Sequence, residues 1–463
     1  MHLRPQCWPL QLNQLIEAPE EMTNLLDAVK NAGVIGAGGA GFPAYQKLDT
    51  KVDLLIANGA ECEPLLNKDQ AVMQHYTDEL LAGIQLAMSQ VGASEAVLGV
   101  KQKHKHSIEV LTPKLPSNVR LLQMPNVYPA GDEVELIYEA TGKRVPQGGL
   151  PMEVGVVVQN VESLVNVFRA SEGRPVTHTM VTVHGSVAQP YTDWLPIGCS
   201  MADAIDLAGG ATVDDYVVID GGPMMGPIIE DMSAVITRTS SGLIVVPRDS
   251  YLAKRKMTPE SAYKRIGKSS CDQCSLCTEM CPRYLLGYPI KPHLVMRSLL
   301  TTGEMSDTLT FNAQACCECN ICSMWACPEQ LDPRNICAST KRDLKAKDVM
   351  LTPQQLQDLT VDVHPMRENR GVPTARLTRR LGLSSYDKIK APFVDRGFVP
   401  TQVSIPLQQH IGAPAVASVE PGVKVSVGDV IGRAADNALS IPIHASINGT
   451  VSTVGSTVTI IAS

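Results

Sequence analysis

Eight cysteines in two runs carry the plainest chemistry in this 463-residue chain. Cys271, Cys274, Cys277 and Cys281 precede Pro282, and Cys316, Cys319, Cys322 and Cys327 precede Pro328. Each run has the spacing C-x2-C-x2-C-x3-C-P, with one extra residue before Cys327. Three thiolates on one short loop reach three irons of a cubane, and the fourth ligand arrives from the other run. The spacing assigns one [4Fe–4S] cluster to Cys271, Cys274, Cys277 and Cys327, and a second to Cys316, Cys319, Cys322 and Cys281. Paired C-x2-C is also zinc grammar. Zinc, however, takes four ligands in two pairs, whereas two runs of four with terminal Cys-Pro stand here. Cys317 has the wrong spacing to Cys319 and is read as a bystander.

A second candidate is the glycine-rich stretch Gly36-Ala37-Gly38-Gly39-Ala40-Gly41-Phe42-Pro43. Gly36, Gly38 and Gly41 satisfy G-x-G-x-x-G, and Glu61 lies about where a ribose-binding acid would. That fingerprint requires a strand before the glycines. Here a helical pattern precedes them: Met22, Leu25, Leu26 and Val29 recur at helical spacing after Pro19, Glu20 and Glu21. A Rossmann site is therefore excluded, but the physics of the loop remains. Its glycines let backbone N–H groups approach a phosphate, and a helix starting at Pro43 would aim its N-terminus there.

The supporting elements can be read from the apolar pattern. Val52 to Ala57 reads as a buried strand ending in Asn58-Gly59-Ala60-Glu61-Cys62-Glu63-Pro64, and Val156 to Val158 as another leading into Gln159-Asn160-Val161-Glu162. From Val176 to about Val246 short strands alternate with Gly and Pro turns around one helix, capped by Ser200 and stopped at Gly209. His184 and Asp220 read as ordinary surface or turn residues near strand ends. Residues 333–347 are helical and basic. Residues 348–400, rich in Pro and Arg, either wrap the core or link domains, and strands return from Pro406 to Ser463. The expected organisation is an N-terminal tail (1–21), an α/β domain (22–175), a small α+β domain (176–250), a helical cluster domain (251–347), a linker (348–400) and a β domain (401–463). A net charge of −7 without a Lys/Arg block argues against nucleic acid. No apolar run approaches the roughly 18–20 residues of a membrane helix, and the first residues have no signal-peptide core. Thirteen cysteines, eight in cluster spacing, suit a reducing cytosol.

The glycine loop, Asn58 to Pro64, Tyr128-Pro129-Ala130-Gly131-Asp132-Glu133 and Val156 to Glu162, in this order, resemble the flavin and NADH site of the complex I flavin subunit and of the homologous Rnf C subunit. The resemblance implies an FMN and NADH pocket built from Gly36, Gly38, Gly39, Gly41, Lys47, Asn58, Glu61, Glu63, Tyr128, Gly131, Asp132, Glu133 and Asn160. It makes Glu61 and Glu63 the candidate catalytic acids and Phe42 the aromatic available to stack on the nucleotide. The family's loop Arg is Ala37 here, its Asp before the first Glu is Ala60, a usual Asn is Gln159, and Leu48 and Thr50 stand where a second stacking aromatic is expected. These departures imply weakened NADH binding.

The resemblance also implies the domain types: a complex-I-like α/β flavin domain, a β-grasp SLBB domain, a dicluster ferredoxin domain, and a C-terminal barrel-sandwich hybrid. Asn448-Gly449 stands where a carrier domain would place its lysine. With the hybrid domain last, the chain is similar to the cobalamin reductases of propanediol-utilisation microcompartments. That similarity implies a cytoplasmic, microcompartment-associated oxidoreductase passing electrons from NADH through FMN and two [4Fe–4S] clusters to cob(III)alamin or cob(II)alamin. It implies a cluster-bearing shell protein as partner, with an adenosyltransferase and self-association as further candidates. His184, His410 and His444 are weak candidates for a cobalt ligand. Two other classes stay open: an electron conduit or NAD-recycling protein serving the shell, and a ligand-binding module with purely structural clusters.

Overall fold

The computed structural model describes residues 24–463, so the expected tail (1–21) and a helix start at Pro19 lie outside the described residues. The Asn24 side chain accepts the Leu26 N–H (3.2 Å) and caps the helix that carries Leu25, Leu26 and Val29. This helix is α1 (Leu25–Asn31), and α2 (Ala44–Leu48) comes after the glycine loop. A four-stranded parallel sheet comes next, built from β1 (Leu54–Gly59), β2 (Glu95–Lys101), β3 (Val119–Met124) and, after the two-residue β4 (Val127–Tyr128), β5 (Val156–Asn160). Its order is β3-β2-β1-β5. β1, β2 and β5 are near-continuous apolar runs because helices cover both faces, whereas the edge strand β3 exposes Arg120 and Gln123. The helices are α3 (Lys68–His75), α4 (Thr77–Val91), α5 (Lys105–Leu111), α6 (Glu133–Thr141) and α7 (Val161–Ser171). Leu80, Leu81, Ile84, Ala87, Met88 and Val91 form the buried stripe of α4, which ends on left-handed Gly92. Gly83 lets α4 and α7 touch: a Cβ there would lie 2.0 Å from the Leu164 carbonyl oxygen.

The second unit is a five-stranded mixed sheet of β6 (His178–Gly185), β7 (Tyr191–Pro196), β8 (Tyr216–Asp220), β9 (Ile228–Ile229) and β10 (Gly242–Pro247), with α8 (Met201–Leu207) between β7 and β8. Ser200 caps α8 in a capping box with Asp203, and Gly209 takes a positive φ just past its end. His184 departs from its expected surface position. It stands near the end of β6, as expected, but is only 1% exposed, its Nε2 3.0 Å from the Ile389 carbonyl. Asp220 is half-buried and accepts the Ser240 hydroxyl (3.2 Å).

The cluster module is helical: α9 (Tyr251–Lys256), α10 (Glu260–Ser270), α11 (Leu276–Glu279), α12 (Pro282–Leu285), α13 (Pro292–Ser298), α14 (Gly303–Thr310) and α15 (Pro333–Ala346). The chain ends in two small sheets of short strands, the four-stranded one built from Gln402–Pro406, Thr457–Ala462, Gly449–Val454 and Lys424–Val425 in that order. The Asn448 side chain accepts the Val427 N–H (2.8 Å), fastening the turn where a carrier lysine would stand. Among the described residues no helix is long and apolar enough to cross a membrane.

Residues 348–400 wrap the core. Val372–Pro373 pair with β4, the Val361 and His364 amides donate to the Gly287 and Leu285 carbonyls, and Tyr386 Oη lies 2.6 Å from Ser186 Oγ. One hydrophobic core runs from the parallel sheet through the mixed sheet into the C-terminal strands. Arg238 pins the same three units. Its buried guanidinium donates to the carbonyls of Gly33 (2.9 Å), Val176 (3.5 Å) and Pro442 (3.1 Å). His410 and His444, beside it, are 6% and 4% exposed, so neither ring is presented to an outside ligand.

Candidate functional site

In parallel α/β sheets ligands gather at the carboxyl ends of the strands. Here β1 ends at Gly59, one residue past Asn58, β2 at Lys101 and β5 at Asn160. The glycine loop is held at both ends. The Gly36 amide donates to the Phe42 carbonyl (2.8 Å) and the Gly41 amide to the Gly36 carbonyl (3.3 Å). Its crown is open: Gly38, Gly39 and Ala40 are exposed, and their amides have no acceptor among the described residues. Gly39 has φ +102°, with nothing within 4 Å of where a Cβ would be. Three free amides beside a helix start form a cradle fitted to a phosphate. Phe42 is half-buried beside them, and Lys47 on α2 pairs with Glu133 on α6 (2.8 Å).

Beneath the loop lies a network that sequence reasoning missed. Lys68 and Glu162, 2% and 1% exposed, form a 2.7 Å ion pair. Lys68 also donates to the Ala37 carbonyl (2.8 Å), and the Ala37 amide donates to Ser163 Oγ (2.9 Å). Asn160 caps α7 and donates to both Asp69 oxygens (3.0 and 3.2 Å), while the Asp69 amide donates to Glu61 (3.1 Å). Glu61 and Asn160 were expected at the site and Glu162 ends a quoted stretch, whereas Lys68, Asp69 and Ser163 were missed, their one signal a Lys-Asp pair opening α3 just after the Asn58–Pro64 run.

Burial, and then the charge of Asp69, raise the Glu61 carboxyl to about 8; burial raises Asp69 to about 6. The folded chain thus keeps a proton that Glu61 in the unfolded chain releases near 4.5. Stability from this site is complete below about 4.5 and is lost as pH rises through about 8. Melting temperature should therefore fall more steeply from pH 6 to 9 in the wild type than in Glu61→Gln; parallel curves would remove Glu61 as the cause.

Of the remaining residues expected at the pocket, Asn58 and Gly131 meet within the flavin-type unit, whereas Glu63, Asp132 and Tyr128 hold seams between units. Asn58 donates to the Gly131 carbonyl (2.8 Å). Both Glu63 oxygens accept amides of the mixed-sheet unit, Met224 at 2.8 Å and Met225 at 2.9 Å. Asp132 caps α6 and takes a bidentate pair from Arg283 of the cluster module (2.7 and 3.0 Å). Tyr128 is fully buried, and its hydroxyl donates to the Cys319 carbonyl (2.7 Å).

Both cysteine loops fold alike. Residues flanking the second cysteine are left-handed in each: Gln273 and Ser275 (φ 57° and 64°), Glu318 and Asn320 (φ 60° and 69°). Cys271, Cys274, Cys277 and Cys327 line one small cavity. Burial and then the neighbouring Cys271, Cys327 and Cys274 push the Cys277 thiol up to about 12. Cys319 is buried against Cys317, with Cys281 and Cys322 near it, and Cys322 has Cys316, Cys277 and Cys281 around it. The thiols of the first set ring a space, and among the described residues no three Cys, His, Asp or Glu side chains form a single-ion site. A cubane, each iron taking one thiolate, fits such a ring. The extra residue before Cys327 is taken up by a π-helical turn, Cys322–Ala326, in which the Cys327 amide donates to the Cys322 carbonyl (3.2 Å).

Four known domains match in sequence. Residues 29–169 match the Nuo51 FMN-binding domain, 180–228 the SLBB domain, 270–332 the 4Fe-4S dicluster domain and 388–463 the RnfC barrel-sandwich hybrid domain. The chain is 42% identical over 440 residues to the cobalamin reductase PduS of Salmonella typhimurium, covering 95% of this chain and 96% of that one. It belongs to the PduS family of cobalamin reductases. The PduS of Citrobacter freundii is 42% identical over 428 residues, 92% of this chain and 93% of its own. The C subunit of a proton-translocating ferredoxin:NAD(+) oxidoreductase from Clostridium ljungdahlii is 34% identical over 268 residues, 56% of each chain. Like its PduS relatives, the protein is an oxidoreductase, and its flavin-type and cluster-type domains make it an electron-transfer protein.

Proposed function

We propose that this protein takes electrons from NADH and delivers them, through FMN and two [4Fe–4S] clusters, to cob(III)alamin or cob(II)alamin in a bacterial microcompartment. The observation that carries the electron path is the seam between the flavin-type domain and the second cysteine set. There Tyr128 bonds the Cys319 carbonyl and Asp132 clasps Arg283, two residues past Cys281. The first set lies further out, with Cys274 exposed. The amides of Gly38, Gly39 and Ala40 would hold the FMN phosphate with Lys47 beside them, and Asn58, Asn160 and Glu61 would line the ring. Bound FMN supplies the conversion of an electron pair into single electrons. Glu61, protonated at neutral pH, can donate a hydrogen bond or a proton at its Oε atoms. Glu63, with both oxygens occupied, positions the loop that carries Glu61.

The exposure of Cys274 favours a second reading, delivery to a cluster-bearing shell protein. An anaerobic stopped-flow trace with NADH tests both. Under the first reading flavin bleaches, cluster absorbance changes next, and added cobalamin reoxidises both. Reoxidation by a shell ferredoxin but not by cobalamin would select the second. Lys47→Glu sets a second carboxylate against Glu133 and the phosphate, and the purified variant should lose its flavin. A full flavin complement there would move the phosphate away from this loop.

A further inference from the structure

A cavity of about 520 Å³ lies apart from the glycine loop, where the flavin-type domain, the cluster module and the wrapping segment 348–400 meet. Its size suits a small molecule. Part of its wall stands one residue from proposed cluster ligands. Met280 and Pro282 flank Cys281, Ile321 precedes Cys322, and Tyr128 is the residue bonded to the Cys319 carbonyl. All three cysteines belong to the second set.

The lining says what would bind. Met124, Val127, Met280, Leu285 and Ile321 make it largely apolar, and Tyr128 and Tyr138 add rings. Its two guanidiniums are already engaged. Arg367 bridges Glu135 and Glu139 and lies 4.6 Å over the Tyr138 ring, and Arg370 pairs with Glu279. Glu368 on the rim is exposed and has no cation partner among the described residues. Three wall carboxylates against two engaged guanidiniums disfavour a phosphate, so this is not a second nucleotide site.

We infer that this cavity is an electron-exit port, seating a flat, uncharged or cationic aromatic one-electron acceptor against the second cluster. One electron passes per visit, from the reduced cluster to the acceptor, and no bond forms or breaks. The inference rests on the electron path proposed above, so its test loads the clusters with dithionite and bypasses NADH and flavin. Reduced, desalted holoprotein is mixed without oxygen with phenazine methosulfate (a flat cation), menadione (neutral) and ferricyanide (a compact anion that needs no seat). Val127→Trp, narrowing the cavity, should slow phenazine methosulfate and menadione at least tenfold and leave ferricyanide unchanged. Glu368→Lys, on the exposed rim, should raise the KM for phenazine methosulfate several-fold and leave menadione unchanged. Equilibrium dialysis of phenazine methosulfate against oxidised holoprotein gives a readout without turnover: one site per chain in the wild type, lost in Val127→Trp. Equal slowing of all three acceptors by Val127→Trp, or unchanged dialysis binding in both variants, overturns the port. Failure of the wild type to reduce even ferricyanide overturns the electron-transfer reading beneath it.

Discussion

Lys68→Met should lower the apparent melting temperature on the order of 10 °C and release the flavin. Lys68 and Glu162 are both almost wholly inside, and removing one partner of a buried ion pair strands the other, a loss of about 3–5 kcal/mol. At roughly 2–4 °C per kcal/mol for domains of 150–250 residues, a shift of that order results. The flavin effect has a separate cause. Lys68 holds the Ala37 carbonyl, so without it the loop bearing the free amides of Gly38, Gly39 and Ala40 loses a strut from below. Pairing Lys68→Met with Glu162→Gln removes the stranded charge and should recover much of the melting temperature but little of the flavin. Thermal melts and the flavin-to-protein absorbance ratio read the two separately. Recovery of both together would mean that the loop needs only a neutral floor and that the Ala37 bond is dispensable.

What the sequence disclosed and what it hid divide along physical lines. A cluster domain was legible because metal chemistry demands one residue type at fixed spacing, and residues 270–332 match the 4Fe-4S dicluster domain. Cys271 to Cys281 and Cys316 to Cys327 need no knowledge of the fold. The glycine loop was legible for a similar reason, since left-handed backbone at Gly39 and Gly41 is a local property. Tyr128, Asp132 and Glu63 were placed in a pocket by resemblance, yet their side chains meet Cys319, Arg283 and the Met224–Met225 amides, partners set by how whole units dock. The pairing of Lys68 with Glu162 escaped notice because each alone is an ordinary charged residue, and only the α3–α7 contact brings them together. Residues 348–400 resembled a linker because many of their contacts are backbone bonds and ion pairs, which leave little hydrophobic periodicity.

The π turn leads to the other large effect. Between Cys277 and Cys281 three residues suffice, but between Cys322 and Cys327 there are four, and the chain absorbs the fourth by widening one turn. A residue added to a helical turn rotates every later side chain by about 100° unless the turn widens. Cys327 is the thiol that reaches back to Cys271, Cys274 and Cys277, so its direction decides whether the first set is complete. Deleting Ala326 restores the shorter spacing and should turn Cys327 away from that ring. Protein prepared without oxygen should fall from about eight iron and eight sulfide per chain to about four of each, with the second set still filled. Cys327→Ser should give the same stoichiometry, and Ala326→Gly, which keeps the length, should retain about eight. Flavin content should hold in all three, because the Tyr128 and Asp132 contacts lie on the second set's side. If the deletion keeps about eight iron while Cys327→Ser loses half, the neighbouring chain relaxes enough to re-aim the thiol, and the widened turn is slack in the loop with no part in cluster assembly.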